Sequence, residues 1–163
     1  MQPRTSRLQP SGKVFVVCGL WLIALGAYFL CLRPALLPED LFYIGNSIET
    51  IRSAVPGLER WLGHVFNVMG GFMIATGAMT VLVAYRLLAR REHGALTAVS
   101  VAGAASVALM SATNFLLNSN FRWLLLLPAL LWLAGLLCYL RESAASATMA
   151  PAPGATARSG GVS

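Results

Sequence analysis

Two polar residues interrupt the second long apolar run of the sequence and are the first candidates for chemistry. His64 and Asn67 follow Arg60 by four and seven residues, with Gly71 four residues later, so all four share one face of a helix. Polar side chains are costly in lipid, and their positions are therefore informative. Such a face either forms hydrogen bonds between helices or contributes to a pocket that binds a ligand or handles protons.

A second set of polar residues follows the third apolar run. Ser100, Ser111, Asn114 and Asn118 lie within about 40° of a common line on a helix, and Asn120 and Arg122 come just after the run. The second helix would begin and the third would end at the same surface, so we expect the two sets to converge there. Hydrogen bonds between helices remain the alternative role. The predicted ligand-binding residues are His64, Asn67, Asn114, Asn118 and Arg122.

The other reactive side chains form no catalytic or metal-binding pattern. His93 lies outside the apolar runs, so His64 has no second histidine with which to bind a metal. Cys18, Cys31 and Cys138 lack C-x-x-C spacing, and we expect neither a disulfide nor a metal site from them. The sequence has no nucleophile beside a base, no paired carboxylates in an apolar run and no glycine-rich phosphate loop. We predict no catalytic residue, no metal, and no cofactor other than a quinone or a lipid.

The candidate residues require a scaffold that lies within a membrane. The chain has 163 residues, of which 57% are hydrophobic and 11% are charged, whereas soluble domains carry about a quarter charged residues. Four apolar runs are long enough to span a bilayer, at residues 14–32, 61–85, 95–117 and 123–140. The first run is too long for a cleaved signal peptide, and we interpret it as a retained helix. The predicted fold class is all-α, a bundle of four transmembrane helices in one domain over residues 14–142.

The segment 33–60 between the first two helices has an amphipathic pattern typical of a membrane interface. Pro38 suits the first turn of a short helix, and Gly45 suits its end. Asn46 with Glu49 resembles a capping box that would begin a second short helix. We expect two short helices over the mouth of the bundle, either as a lid on a cavity or as a plain connector.

Basic residues predict the orientation of the chain. Eight of the 12 lysines and arginines fall on the side that carries both termini, and four fall on the other side. Cytoplasmic loops are enriched in these residues, so the N-terminus (1–13) and the tail (143–163) should be cytoplasmic, in the inner membrane of a bacterium. The tail is rich in Ala, Ser, Pro and Gly and is expected to be disordered. The net charge of +6 follows this topology and does not indicate nucleic-acid binding.

Glycines predict how the helices pack. Helices in lipid associate where small residues let their backbones approach, and heptad spacing gives one smooth face on each helix. We therefore expect the first two helices to form an antiparallel pair. The alanine-rich third helix is expected at the centre of the bundle, and the leucine-rich fourth helix should face lipid. The predicted packing residues are Gly19, Gly26, Gly63, Gly70 and Gly77.

The layout resembles that of uncharacterised DoxX-like bacterial membrane proteins with four helices. The resemblance covers roughly residues 14–140 and includes the long first outer loop, the Arg33-Pro34 step after the first helix, and the glycine-rich stretch Val68-Met69-Gly70-Gly71-Phe72. Some proteins of that broad group are associated with quinone-linked oxidoreductase complexes. The resemblance implies an accessory or quinone-contacting role, and it provides no residue set that can be carried over as catalytic.

Two function classes follow from the sequence. The first is a non-enzymatic accessory protein or complex subunit that binds another membrane protein, or itself, within the lipid bilayer. The alternative is a bundle that binds a small amphipathic ligand, a quinone or a lipid, in an outer-leaflet pocket under the loop 33–60. An autonomous enzyme and an ion-coupled transporter are both disfavoured, because the helices contain no catalytic set and no membrane-embedded acid.

Overall fold

The computed structural model describes residues 8–148, and within that range the chain is helical and contains no β-strand. Four helices in this range are long and apolar enough to cross a membrane, as predicted. Two π-helical segments, Ala84–Leu88 and Ala104–Ala108, continue the fourth helix and join the fifth to the sixth. In chain order the α-helices are α1 (Pro10–Cys31), α2 (Pro38–Ile44), α3 (Ile48–Ala54), α4 (Leu58–Val83), α5 (Ala95–Gly103), α6 (Leu109–Leu116) and α7 (Arg122–Thr148).

The long helices alternate in direction, and α1 packs against two of them. It contacts α4 along one side and α7 along another, while α7 also packs on the rod formed by α5 and α6. The bundle therefore has two distinct ends. We call the end with Pro10, the loop 89–94 and Thr148 the terminal end. The loop end carries α2, α3 and the turn at 117–121.

Close glycine contacts hold α1 against α4. A Cβ atom built on Gly77 would lie 2.5 Å from the carbonyl oxygen of Gly19, and one on Gly26 would lie 2.6 Å from the carbonyl oxygen of Gly70. Real Cβ atoms do not approach backbone this closely, so the two backbones touch only because these side chains are absent. Gly63 differs, because nothing lies within 4 Å of a Cβ atom at that position. Gly63 lies between the glycine contact and the loop end of α4.

The buried core occupies the terminal half of the bundle and is built around two aromatic rings. Phe15 of α1 meets Trp132 of α7 edge to face, with 5.6 Å between ring centroids. The indole N–H of Trp132 donates to the carbonyl oxygen of Val99 at 3.0 Å, so its polar atom is satisfied inside the core. Gly103 makes room for this ring, since a Cβ atom there would clash with the indole. The core fixes the positions of α1, α5 and α7 relative to each other.

Three of the four long helices extend beyond the apolar runs that predicted them. The first begins at Pro10 rather than at residue 14, the second begins at Leu58 rather than at 61, and the fourth continues to Thr148 rather than 140. Hydrogen bonds between Ser11 and Glu142 lie in the extra turns of α1 and α7, and the Arg52–Glu59 pair lies in the extra turn of α4; apolar patterning cannot report these contacts. Residues 143–148, predicted as part of a disordered tail, belong to α7. The remainder of that predicted tail, like residues 1–7, lies outside the described residues.

The alanine-rich third span is not the central helix, contrary to expectation. Ala98, Ala104, Ala105 and Ala108 are all exposed, whereas α1 contributes the buried residues Phe15, Cys18 and Leu22. Small side chains allow close approach but do not cause it. The expectation for α7 was partly wrong as well, because Trp132, Gly135 and Tyr139 form a buried strip on a helix whose leucines are otherwise mostly exposed.

The segment between α1 and α4 folds as two short helices. Gly45 ends α2 with a left-handed backbone, at a φ of 75°. The predicted cap of α3 is wrong by one residue: Ser47, not Asn46, is the N-cap, and its hydroxyl accepts a hydrogen bond from the Thr50 amide at 3.2 Å. A serine oxygen three residues before that amide meets the same capping requirement. Ile51 is the buried anchor of α3.

Candidate functional site

His64 and Asn67 lie on an open face of α4. Both side chains are exposed, and Gly71 on the same face has nothing within 4 Å of its Cβ position. At 100° per residue this face lies roughly 100° around the helix from Gly70, which contacts α1. The groove that α4 forms with α5 lies on the other side of that glycine contact, is lined by residues that include Thr80 and Ala102, and has a volume of about 310 Å³. The polar face of α4 therefore points away from the third span.

The other predicted ligand-binding residues, Asn114, Asn118 and Arg122, have roles within their own helix or turn. Asn114 donates from its side-chain amide to the Met110 carbonyl oxygen of its own helix at 2.9 Å. Asn118 has a φ of 52° and ends the third span in the left-handed conformation that asparagine tolerates. The guanidinium of Arg122 lies 5.9 Å from the ring centroid of Trp123. Within residues 8–148, no hydrogen bond or ion pair joins any two of the five predicted residues. Their ligand-binding role stays a prediction.

One residue of the polar stripe of the third span, Ser111, contacts α7 rather than α4. Ser111 is buried, and its hydroxyl donates to the Leu125 carbonyl oxygen at 2.7 Å. This carbonyl lies in the turn before Pro128, where proline interrupts the helical hydrogen bonding. Ser111 therefore contacts α7, and the expectation that the stripe would meet the polar face of α4 is not supported by these contacts.

A carboxylate at the loop end docks α2 onto the bundle. Glu39, in the first turn of α2, accepts hydrogen bonds from the Ser119 hydroxyl at 3.2 and 3.3 Å and from the Asn120 backbone amide at 3.1 Å. Ser119 is buried, and its hydroxyl oxygen also accepts from the Phe121 amide at 3.1 Å. One carboxylate thus ties the first outer loop to the turn between α6 and α7.

A shielded cation holds the other side of α2. The Arg33 guanidinium lies 3.5 Å from the ring centroid of Phe66 and 5.2 Å from that of Phe29. It also pairs with the Asp40 carboxylate at 3.4 Å, and its side chain is only 10% exposed. Asp40 in turn accepts from the Leu37 amide at 2.8 Å, which satisfies the start of α2. Arg33 therefore connects the ends of α1 and α4 to the first outer helix.

A third polar cluster joins the helix ends at the terminal end. The Glu142 carboxylate accepts from the Ser11 backbone amide at 3.0 Å and from the Ser11 hydroxyl at 2.6 Å. It thereby caps the first turn of α1, where a negative charge is favourable. Arg91 donates to the Ser143 hydroxyl and, at 3.3 Å, to the Gln9 side-chain oxygen. The backbone of Arg91 is left-handed, with a φ of 53°, so the loop 89–94 turns sharply to reach these partners.

Sequence reasoning missed the residues that form these clusters as a group. Glu39 and Asp40 follow Pro38 in the first turn of a helix, and that position gives no distant partner. Ser11 and Glu142 are 131 residues apart, and nothing in their neighbourhoods indicates that they meet. One sequence pattern could have identified these residues: acidic residues such as Glu39 and Glu142 lie near helix ends, where a carboxylate can accept hydrogen bonds from free backbone amides.

These three polar clusters hold helix ends and loops together. Within residues 8–148, no three His, Cys, Asp or Glu side chains are placed to hold a metal ion. A shallow concavity of about 690 Å³ lies between α2 and α3 and is lined by residues that include Leu41, Phe42, Gly45 and Ile48. Its wall is mostly apolar carbon, with Ser47 and Glu49 at its edge.

Comparison with protein-family models, with curated proteins and with solved structures finds no match for this chain. The DoxX-like resemblance therefore stays an expectation, and function has to be inferred from the residues themselves.

Proposed function

We propose that this chain is a non-enzymatic subunit of a membrane complex that binds its partner, inside the bilayer, through the open face of α4. The proposal includes four membrane crossings with both termini in the cytoplasm. Polar groups of a membrane helix need hydrogen-bond partners, and in this proposal a second protein, rather than the bundle itself, provides them for the open face of α4.

The observation that carries the proposal is the exposure of Asn67 and His64 on a helix long and apolar enough to span a membrane. Trp61, at the loop end of α4, is 61% exposed and suits the headgroup region. Asn67 lies about 9 Å deeper along the helix at 1.5 Å per residue. An amide without a partner at that depth costs several kcal/mol in hydrocarbon, so a partner that satisfies it is strongly favoured.

Orientation can be tested by cysteine labelling in intact cells, with the native cysteines replaced. The eight-to-four division of basic residues predicts that a membrane-impermeant reagent labels Ser47→Cys and does not label Ser159→Cys. After permeabilisation both positions should react. Labelling of Ser159→Cys alone in intact cells would reverse the proposed topology.

The partner itself can be tested by photo-crosslinking in the native membrane. A photoreactive amino acid at Ala78, exposed on the polar face of α4, should give an adduct larger than the chain. The matched control is the same amino acid at Leu133, which is exposed on α7. Adducts at neither position, or equal adducts at both, would contradict a partner bound at the α4 face.

A second candidate function is the binding of an amphipathic ligand, a quinone or a lipid, under the first outer loop. It is favoured by the concavity between α2 and α3, beside which Phe42 is 87% exposed. An exposed aromatic ring next to an apolar concavity suits contact with acyl chains or a flat ring. The test is binding of a fluorescent quinone or lipid to the purified protein, which Phe42→Ser should weaken and Phe115→Ser should not.

A further inference from the structure

We infer that the partner of the open α4 face is a second copy of this chain, bound in parallel about a two-fold axis along the membrane normal. This inference rests on the proposed function and names the partner that the proposal leaves open.

The face has a shape that permits close approach. Gly71 has nothing within 4 Å of its Cβ position, Ala78 continues the same exposed surface along α4, and Ala75 lies where this surface borders the groove with α5. Small residues four apart let two helix backbones come together, which is the geometry that drives helix pairing in lipid. The two glycines of α4 that pack on α1, Gly70 and Gly77, lie on a different side of the helix, so both contacts can exist at once.

The chemistry of the face is complementary to itself. An asparagine side chain carries both a donor and an acceptor, and a neutral histidine ring also carries one of each. In a parallel dimer, Asn67 of one copy faces Asn67 of the other across the axis, so that each amide satisfies its counterpart. An unrelated partner would need its own polar group at the same depth. A second copy provides that group without further requirement, and two-fold dimers are the commonest symmetric assembly.

The charged rim of the face fits the same arrangement. Arg60, one turn beyond His64, is exposed at the loop end of α4. Two parallel copies would bring like charges together there if the helices stayed in contact along their full length. Contact closest at Gly71, with the helices diverging toward both ends, separates the two guanidinium groups and lets them extend to the headgroups.

Disulfide cross-linking tests the contact directly. In the full-length chain with its native cysteines replaced, Gly71→Cys should form a covalent dimer in membrane vesicles under mild oxidation. Leu133→Cys, exposed on α7, is the matched control and should remain monomeric. Since nothing occupies the space around Gly71, this substitution leaves the monomer fold intact, which unchanged thermal unfolding in detergent would verify.

Loss of polar complementarity provides the second measurement. Two differently tagged copies, reconstituted together in vesicles, should co-purify, and Asn67→Leu should weaken their association about 3- to 10-fold. Val65→Leu, on the other side of α4, should leave association unchanged. Equal association of the Asn67→Leu and wild-type chains would overturn the role of the amide pair.

The outcomes separate this inference from the proposed function. A Gly71→Cys dimer that depends on Asn67 supports both. If tagged copies do not associate while a photoreactive amino acid at Ala78 forms an adduct with a different protein, the second copy is ruled out and the subunit role stands. If neither a dimer nor any adduct forms, both proposals fail.

Discussion

At the scale of single residues, the polar side chains of this chain differ in how they meet their hydrogen-bonding requirements. Ser111 and Trp132 donate to backbone carbonyls of a neighbouring helix, whereas Asn114 donates to a carbonyl of its own helix. His64 and Asn67 are exposed and make no side-chain hydrogen bond within the described part of the chain. The Trp21 indole N–H of α1 is also buried without a hydrogen-bond partner in this part of the chain, and His64 and Asn67 differ from it in lying together on one open face of α4.

Arg33 is the single cation whose removal should affect the fold most. We predict that Arg33→Ala lowers the free energy of unfolding by about 2 kcal/mol, because a shielded guanidinium against an aromatic ring is worth about that much. Chemical or thermal unfolding in detergent micelles measures the change. Arg52→Ala is the matched control: Arg52 also forms an ion pair, with Glu59 at 3.0 Å, but its side chain is 59% exposed. Equal losses for the two variants would show that the rings contribute nothing.

At the scale of elements, contacts at glycine set the distance between helices. Gly103→Ala should be strongly destabilising, by about 1 to 3 kcal/mol, since its methyl group would overlap the indole of Trp132 in a packed core. Gly63→Ala is the control on another helix, with open space around it, and should be neutral or stabilising because alanine favours helix. Thermal unfolding of the two variants in the same detergent distinguishes them. A destabilised Gly63→Ala would mean that this glycine has a contact not present in the monomer.

The first turn of α3 should respond to pH. Hydrogen bonding by its own backbone amide, followed by the Ser47 hydroxyl, lowers the pKa of Glu49 below its ordinary value of 4.5. A lowered pKa in the folded state means that the ionised form is stabilising, so the stabilisation is complete above pH 4.5 and is lost as the pH falls through the lowered value. NMR Cα shifts over residues 48–54 should lose helical character in acid. Glu49→Gln should show that loss already at neutral pH, and Glu92→Gln should not.

Features of these elements that depend on residues close in sequence could be predicted, and features that depend on a neighbouring helix could not. Apolar runs located all four spans, Gly45 located the end of α2, and heptad spacing identified four glycines that do lie at the α1–α4 contact. The cap of α3 was displaced by one residue because Asn46 and Ser47 are both good capping residues. No sequence pattern predicts the two π-helical segments or the space that Gly103 leaves for the Trp132 ring, since both depend on which helix is the neighbour.

At the scale of the whole molecule, the neighbours of each helix were the least predictable feature. Amphipathic and small-residue faces show that a helix packs, but four helices with such faces can be arranged in several orders. Polar residues were expected to converge at the loop end because both sets face that surface. In the structure Ser111 of the third span binds α7, and other residues, Glu39 with Ser119 and Arg33 with Asp40, form the polar contacts of the loop end.

The cluster at the terminal end predicts a long-range contribution to stability. Glu142 of α7 binds both the amide and the hydroxyl of Ser11 in α1, and Ser11 is only 1% exposed. Hydrogen bonds to a charged group are worth about 1.5–3 kcal/mol, so Glu142→Leu should lower the free energy of unfolding by about that amount. Glu92→Leu, which replaces an exposed acid on the same end of the bundle, should change it little.

A double-mutant cycle in detergent separates this contact from the general effect of losing a charge. Ser11→Ala removes the hydroxyl bond and keeps the backbone amide bond, so it should cost less than Glu142→Leu. The two changes together should then cost less than the sum of the single changes, because the hydroxyl bond can be lost only once. If the two costs simply add, the Ser11 hydroxyl and the Glu142 carboxylate do not interact in solution, and the ends of α1 and α7 are held by other contacts, such as the Phe15–Trp132 core and the Arg91 hydrogen bonds.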